Sequence, residues 1–147
     1  MFKHLFVPVD GSELSQKAID QSLALAQSLG ARITGFVCEP ALPVSVVNAN
    51  PHTFVRQMEA FEARTEAHAN KVLTHFAERA AAVGVSFDGE HVSTDATDSA
   101  IAEVADRVKA DLIVMITHGR GVFGELLYGS HTKNVMSRTQ VPLLVLH

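Results

Sequence analysis

Asp111-Leu-Ile-Val-Met-Ile-Thr117 carries no charge after its first residue, and it constrains the chain more than any other stretch. A strand that is apolar at every position, rather than at every second one, must be covered on both faces. Parallel sheets flanked by helices meet that condition. Residues 4 to 9, His-Leu-Phe-Val-Pro-Val, and 141 to 147 have the same character. Between such runs the apolar period changes from continuous to helical. Leu14, Ala18, Ser22, Leu25 and Leu29 define a helix that opens at the Asp10-Gly11-Ser12-Glu13 turn and closes at Gly30. Residues 31 to 38 resume a strand.

Phe54, Met58, Phe61, Val72, Leu73, Phe76, Ala80 and Val83 place an amphipathic helix over 53 to 83, ending at Gly84. Residues 85 to 92 form a more polar, edge-type strand. Ile101, Val104, Ala105 and Val108 mark a short helix. Ser130 is placed to cap a last helix running through Val135 to Arg138. The order β-α-β-α-β-α-β-α-β predicts an α/β fold: a parallel sheet with helices on both faces, because right-handed crossovers return each strand to the same direction.

With 147 residues, one domain is the economical arrangement. A net charge of −4 provides no basic footprint for nucleic acid or for an anionic membrane surface. The first ten residues meet a charge too soon for a signal peptide, and no span suits a bilayer, so the expected compartment is the cytoplasm. Cys38 is the only cysteine, which rules out an intrachain disulfide and suits a small buried hydrophobe. His68 and His75, two turns apart on one helix face and about 10 Å apart, are too distant to share a metal and read as solvated surface histidines. Pro40, Pro43 and Pro51 exclude a regular helix from Glu39 to Thr53. A loop of this length suits either a lid near a ligand or packing on a partner subunit.

In doubly wound sheets, ligands sit beyond the carboxyl ends of the strands, where strand order reverses. That rule brings together Pro8 to Ser12, Val37 to Glu39, and Met115 to Thr132. The last stretch holds Gly119, Gly121, Gly124 and Gly129 within eleven residues, leading into a helix, an arrangement suited to an anion. Asp10 reads equally as an acceptor for sugar hydroxyls and as a turn and helix-capping aspartate. His118 and Arg120 pair with phosphate charge or are simply solvated.

Pro8-Val9-Asp10-Gly11-Ser12-Glu13, Asp111 to Met115 before Thr117-His-Gly-Arg-Gly121, Gly129-Ser130, and Pro142-Leu-Leu-Val-Leu146 together resemble the universal stress protein family over essentially the whole chain. The resemblance implies a doubly wound five-stranded sheet in the order 3-2-1-4-5 and a homodimer paired along 141–147. Nucleotide-binding members carry glycine, two residues, glycine, nine residues, then glycine with serine or threonine. Gly119, Gly129 and Ser130 reproduce the second part, while the first glycine falls on Ile116. Carried over position by position, Asp10, beside Pro8 and Val9, meets the ribose and adenine. Backbone groups of Val37 and Met115 meet the adenine edge, and Ser130, His131 and Thr132 take the phosphates.

Three functions compete on this reading. The first is a stress-response regulatory protein binding ATP or AMP, with magnesium accompanying ATP. The second is a dimeric scaffold in which Ile116 fills the pocket. The third is a slow ATPase with His118 or His131 as acid or base. Without the glycine-lysine-serine end of a P-loop, the chain looks built to hold phosphates, with hydrolysis slow at most.

Overall fold

The computed structural model describes residues 1–43, 50–117 and 130–147. Five strands, β1 (His4–Pro8), β2 (Arg32–Glu39), β3 (Phe87–Ser93), β4 (Leu112–Ile116) and β5 (Leu143–Leu146), alternate with four helices. These are α1 (Glu13–Leu29), α2 (Pro51–Ala82), α3 (Thr97–Arg107) and α4 (Ser130–Met136). The strands form one all-parallel sheet in the order β3-β2-β1-β4-β5, the expected doubly wound arrangement. The reversal of strand order lies at β1, between β2 and β4.

Two apolar layers explain why the inner strands are apolar at every position. Leu5, Val7, Ile33, Val37 and Val114 face α1 and α2, where they meet Ile19, Leu23, Val72 and Phe76. Phe6, Phe36, Ile113 and Met115 face α3 and α4, where they meet Ile101, Val104 and Val135. Burying one such side chain is worth about 1.5–3 kcal/mol, so a polar substitution on either face of β1 removes support from a whole layer. At the amino end of the sheet, buried His4 bonds to Thr34 Oγ1 at 2.7 Å and lies 3.3 Å from the Lys109 carbonyl. Burial and the nearby Arg32 cation both lower its pKa, so it is held neutral.

Helix α1 follows its expected outline, with Ser12 capping one end and left-handed Gly30 the other. Helix α2 departs from expectation at both ends. Pro51 stands at the start of the helix, where its missing N–H costs nothing, and the Asn50 side chain accepts from His52 N. Residues 51–53 are therefore helical. Val83, expected on the buried side, lies past the last turn and is 40% exposed, while Val85 takes the core position.

The buried residues of α2 run only from Ala69 to Ala80. A helix of 32 residues is roughly 48 Å long against roughly 26 Å for an eight-residue strand, so its first turns pass beyond the sheet. Phe54, Met58 and Phe61 are accordingly only half-buried. His68 is not a purely solvated histidine: its Nδ1 lies 2.5 Å from Oε1 of buried Glu39. Exposed His75 bonds to Gln16 Oε1 at 3.0 Å, with no link to His68. Among the described residues, no helix is long and apolar enough to cross a membrane.

Candidate functional site

At the carboxyl ends of β1, β2 and β4 the sheet opens into a cleft of about 770 Å³, within the usual range for small-molecule sites. One wall is the turn from β1 into α1. Beyond Pro8, Val9 N donates to the Phe36 carbonyl at 2.8 Å, which carries the strand pairing one residue further. The chain then reverses at Gly11, whose φ of +82° is left-handed. A Cβ at Gly11 would stand 2.9 Å from Val72 Cγ2 and 3.3 Å from His68 Nε2, so the turn is wedged against α2.

Asp10 closes this turn onto the first turn of α1. Its Oδ1 accepts from Ser12 N at 2.9 Å and from Ser15 Oγ at 2.6 Å. Ser15 Oγ accepts in turn from Asp10 N at 2.8 Å, and Ser12 Oγ accepts from Ser15 N at 3.3 Å. Partial burial pushes the Asp10 carboxyl upward. The hydrogen bonds from Ser12 and Ser15 outweigh it and hold the group below the usual carboxylate range. Asp10 thus closes the turn, with Ser12 as the helix cap, and does so as an anion at the rim of the cleft.

The floor comes from the other core layer, with Phe36, Ile101 and Met115 lining the cleft. Cys38 lines it beside them, its Sγ 3.5 Å from the Thr94 carbonyl and 3.6 Å from Thr97 Oγ1. Burial pushes the Cys38 thiol up, which favours the protonated, polarizable form in the wall. Opposite the β1 turn stand Thr97 and Asp98 from the first turn of α3 and His131 from α4. Asp98 Oδ1 lies 2.7 Å from His131 Nδ1, and its Oδ2 accepts from Asn134 Nδ2 at 2.9 Å.

The expected site residues divide into three groups. Pro8, Val9, Asp10, Met115, Ile116 and His131 all line the cleft. Ile116, the residue standing for a glycine, directs its bulk into the layer beneath α1, with Leu144 and Leu146. The Val37 side chain belongs to that same layer, and the cleft wall beside it is Phe36 and Cys38, as strand alternation requires. Thr132 is buried. Ser130, expected as the cap, is exposed and stands as the first residue of α4. His118, Gly119, Arg120 and Gly129 lie outside the described residues, as do positions 44–49 of the proline-containing loop. The start of that loop is tied to the end of β3 and the turn after it: Ala41 N donates to Asp95 Oδ1 at 3.0 Å, and the Pro40 carbonyl accepts from Ser93 Oγ at 2.9 Å.

The cleft also takes in the connection after β3, beyond the three strand ends expected from the sequence. Thr97 and Asp98 sit there, just ahead of the Ala100–Val104 apolar period, in the position of an acidic first turn. Among the described residues, no three His, Cys, Asp or Glu side chains group to hold a metal ion. A smaller hollow of about 380 Å³ lies between β3 and the outer side of α3, lined by Val92, Ser99, Glu103 and Arg107. Arg107 there is engaged by Glu90 at 2.7 Å.

Comparison with known proteins gives a consistent result. A family model described as the universal stress protein family matches residues 1–147. A universal stress protein of Thermus aquaticus is 34% identical over 145 residues, covering 99% of this chain and 98% of that protein. Among solved structures, a universal stress protein in complex with cAMP is 26% identical, with 99% and 97% of the two chains covered and a TM-score of 0.68. A universal stress protein from Lactobacillus plantarum, 22% identical over 99% and 98% of the chains, shares the fold at a TM-score of 0.77.

Proposed function

We propose, from the premise that this chain belongs to the universal stress protein family, that its cleft binds an adenine nucleotide, ATP or AMP, and that the chain works by holding it as a stress-response regulator. The observation carrying this reading is the pairing, in one cleft of about 770 Å³, of an apolar floor with an anionic Asp10 fixed at the rim. The floor of Phe36, Ile101 and Met115 suits a flat base, with backbone groups near Val37 and Met115 at its edge. Both short hydrogen bonds to Asp10 fall on Oδ1, which leaves Oδ2 to accept from ribose hydroxyls. Ser130 and His131, with His118, Gly119, Arg120, Gly129 and Thr132, are the proposed phosphate-end residues. The complex of a 26%-identical relative with cAMP supports the ligand class.

The side chain of Ile116 packs beneath α1, which favours this reading over the filled scaffold. Magnesium would enter with ATP, through the nucleotide's own phosphates. Any hydrolysis would be slow, with His118 or His131 as its acid or base; phosphate release lost in His131→Ala at saturating ATP would assign the role to His131. The edge position of β5 supports a homodimer through 141–147, because an aliphatic edge invites pairing with its twin. A monomeric mass at micromolar concentration in sedimentation would contradict the dimer. The binding test is mass spectrometry of co-purified nucleotide followed by calorimetric titration with ATP and AMP. Saturable binding is expected, and no binding of either at millimolar concentration would leave the scaffold reading in its place.

A further inference from the structure

Asp98 and His131 form a pair whose geometry does more than join two helices. The Asp98 side chain is 16% exposed, and each of its oxygens has its own partner on α4. That fixes the carboxylate. The Nδ1–H of His131 is therefore committed to Asp98, which sets both the tautomer and the plane of the ring. The far ring nitrogen, Nε2, makes no hydrogen bond among the described residues, and the ring itself is 73% exposed on the cleft wall. An ordinary surface ion pair needs no such double anchoring, and an isolated exposed pair would contribute little to stability.

The geometry points to the Asp98–His131 pair as the reader of the ligand's phosphate, with His131 Nε2–H the donor and Asp98 the positioning residue. This inference rests on the nucleotide reading above and adds to it the means by which phosphorylated ligands are told from bare nucleosides. As the imidazolium, His131 would give Nδ1–H to Asp98 and Nε2–H to the phosphate, so that the ring is held between two anions. Adenosine offers no second anion. The other charged or titratable groups lining the cleft are Asp10, Glu13 and Lys17 from the β1–α1 side and Cys38 from β2, so among the described residues Lys17 is the one competing cation.

The test is calorimetric titration of the full chain with AMP and with adenosine, for wild type, His131→Ala and Asp98→Asn. A long-range ¹⁵N–¹H spectrum of the histidine rings accompanies each titration. Wild type should prefer AMP by about tenfold or more, the scale of one charge-assisted hydrogen bond. His131→Ala should lose about tenfold for AMP while adenosine changes less than about twofold. Asp98→Asn should lie between, with the tautomer signature of His131 scrambled in the free protein, an effect that loosened packing alone does not produce. In wild type, AMP should move the His131 Nε2 signal, as a new hydrogen bond there requires, and adenosine should not. Equal losses for both ligands in His131→Ala, or an Nε2 signal unmoved by AMP, would overturn the inference. Wild type binding AMP and adenosine alike would overturn it while leaving the nucleotide reading standing; wild type binding neither would overturn both.

Discussion

The two walls of the cleft are built in different ways. The wall at β1–α1 is short-range: Asp10, Ser12 and Ser15 bond to one another within six residues, and Gly11 is wedged against Val72 and His68. The wall at α3–α4 is long-range, with Asp98 reaching more than thirty residues along the chain to His131 and Asn134. Local hydrogen bonds closed over small loops cost little entropy and form with the helix itself, whereas the second wall depends on two helices docking first. A locked wall beside an adjustable one suits a ligand with a constant nucleoside and a variable phosphate.

The largest effect expected from attacking the locked wall is that of Gly11→Ala. A Cβ there meets Val72 Cγ2 at 2.9 Å on a backbone with φ of +82°, so urea denaturation should show a loss of about 1–3 kcal/mol. Unchanged stability would mean that the turn is not wedged. Next in size is Asp10→Ala, which strips the partner from the hydroxyl of buried Ser15 and should cost about 1 kcal/mol of stability. It should also reduce AMP affinity by about tenfold, since the lost acceptor is charged.

The acid limb of the stability profile sharpens the same contrast. Because the folded Asp10 carboxyl is held below its ordinary value, its contribution is present above the unfolded pKa and is lost as pH falls through the lowered one. Asp10→Asn should flatten that limb below about pH 4. His4, also depressed but at the opposite end of the sheet, should weaken the fold as pH falls through about 6.5, because there the unfolded chain gains a proton first. The two windows are far enough apart to be read separately in one pH series of denaturation curves.

On the adjustable wall the expected changes are smaller. Asp98→Ala should cost about 0.5–1 kcal/mol, and hydrogen exchange should accelerate in α4 while the amides of Ser12 and Ser15 stay protected. Acceleration at both walls would mean that they are one cooperative unit. Ile116→Gly should move AMP affinity by less than about twofold, because the side chain it removes lies in the layer beneath α1. A large gain in affinity would show instead that Ile116 obstructs the ligand.

What was legible in the sequence follows the same division. Continuous apolar runs and helical periods carry the α/β order, and the strand-end rule locates Asp10, Met115 and His131, because each of these signals is local. Asp98 was not legible: nothing within its own helix says that a histidine thirty-three residues on will take its carboxylate. The same holds for Glu39 and His68, joined across twenty-nine residues. Gly35 gave no signal either, although a Cβ there would stand 2.7 Å from Phe87 Cζ and spoil the Phe76–Phe87 contact. Pro51 misled for the opposite reason, since proline breaks a helix inside it and suits its first turn. The strand order 3-2-1-4-5 came from family resemblance, as periodicity alone does not say which strands are neighbours.

The central claim, an adenine nucleotide in the cleft between these walls, is tested most directly by a backbone amide NMR titration with AMP. Saturable shifts are expected at Val9 to Lys17, Phe36 to Cys38, Thr97 to Ile101, Met115 to Thr117 and Ser130 to Thr132, with β3 and the second half of α2 unmoved. Silent spectra up to millimolar AMP, or shifts confined to the hollow between β3 and α3, would contradict it.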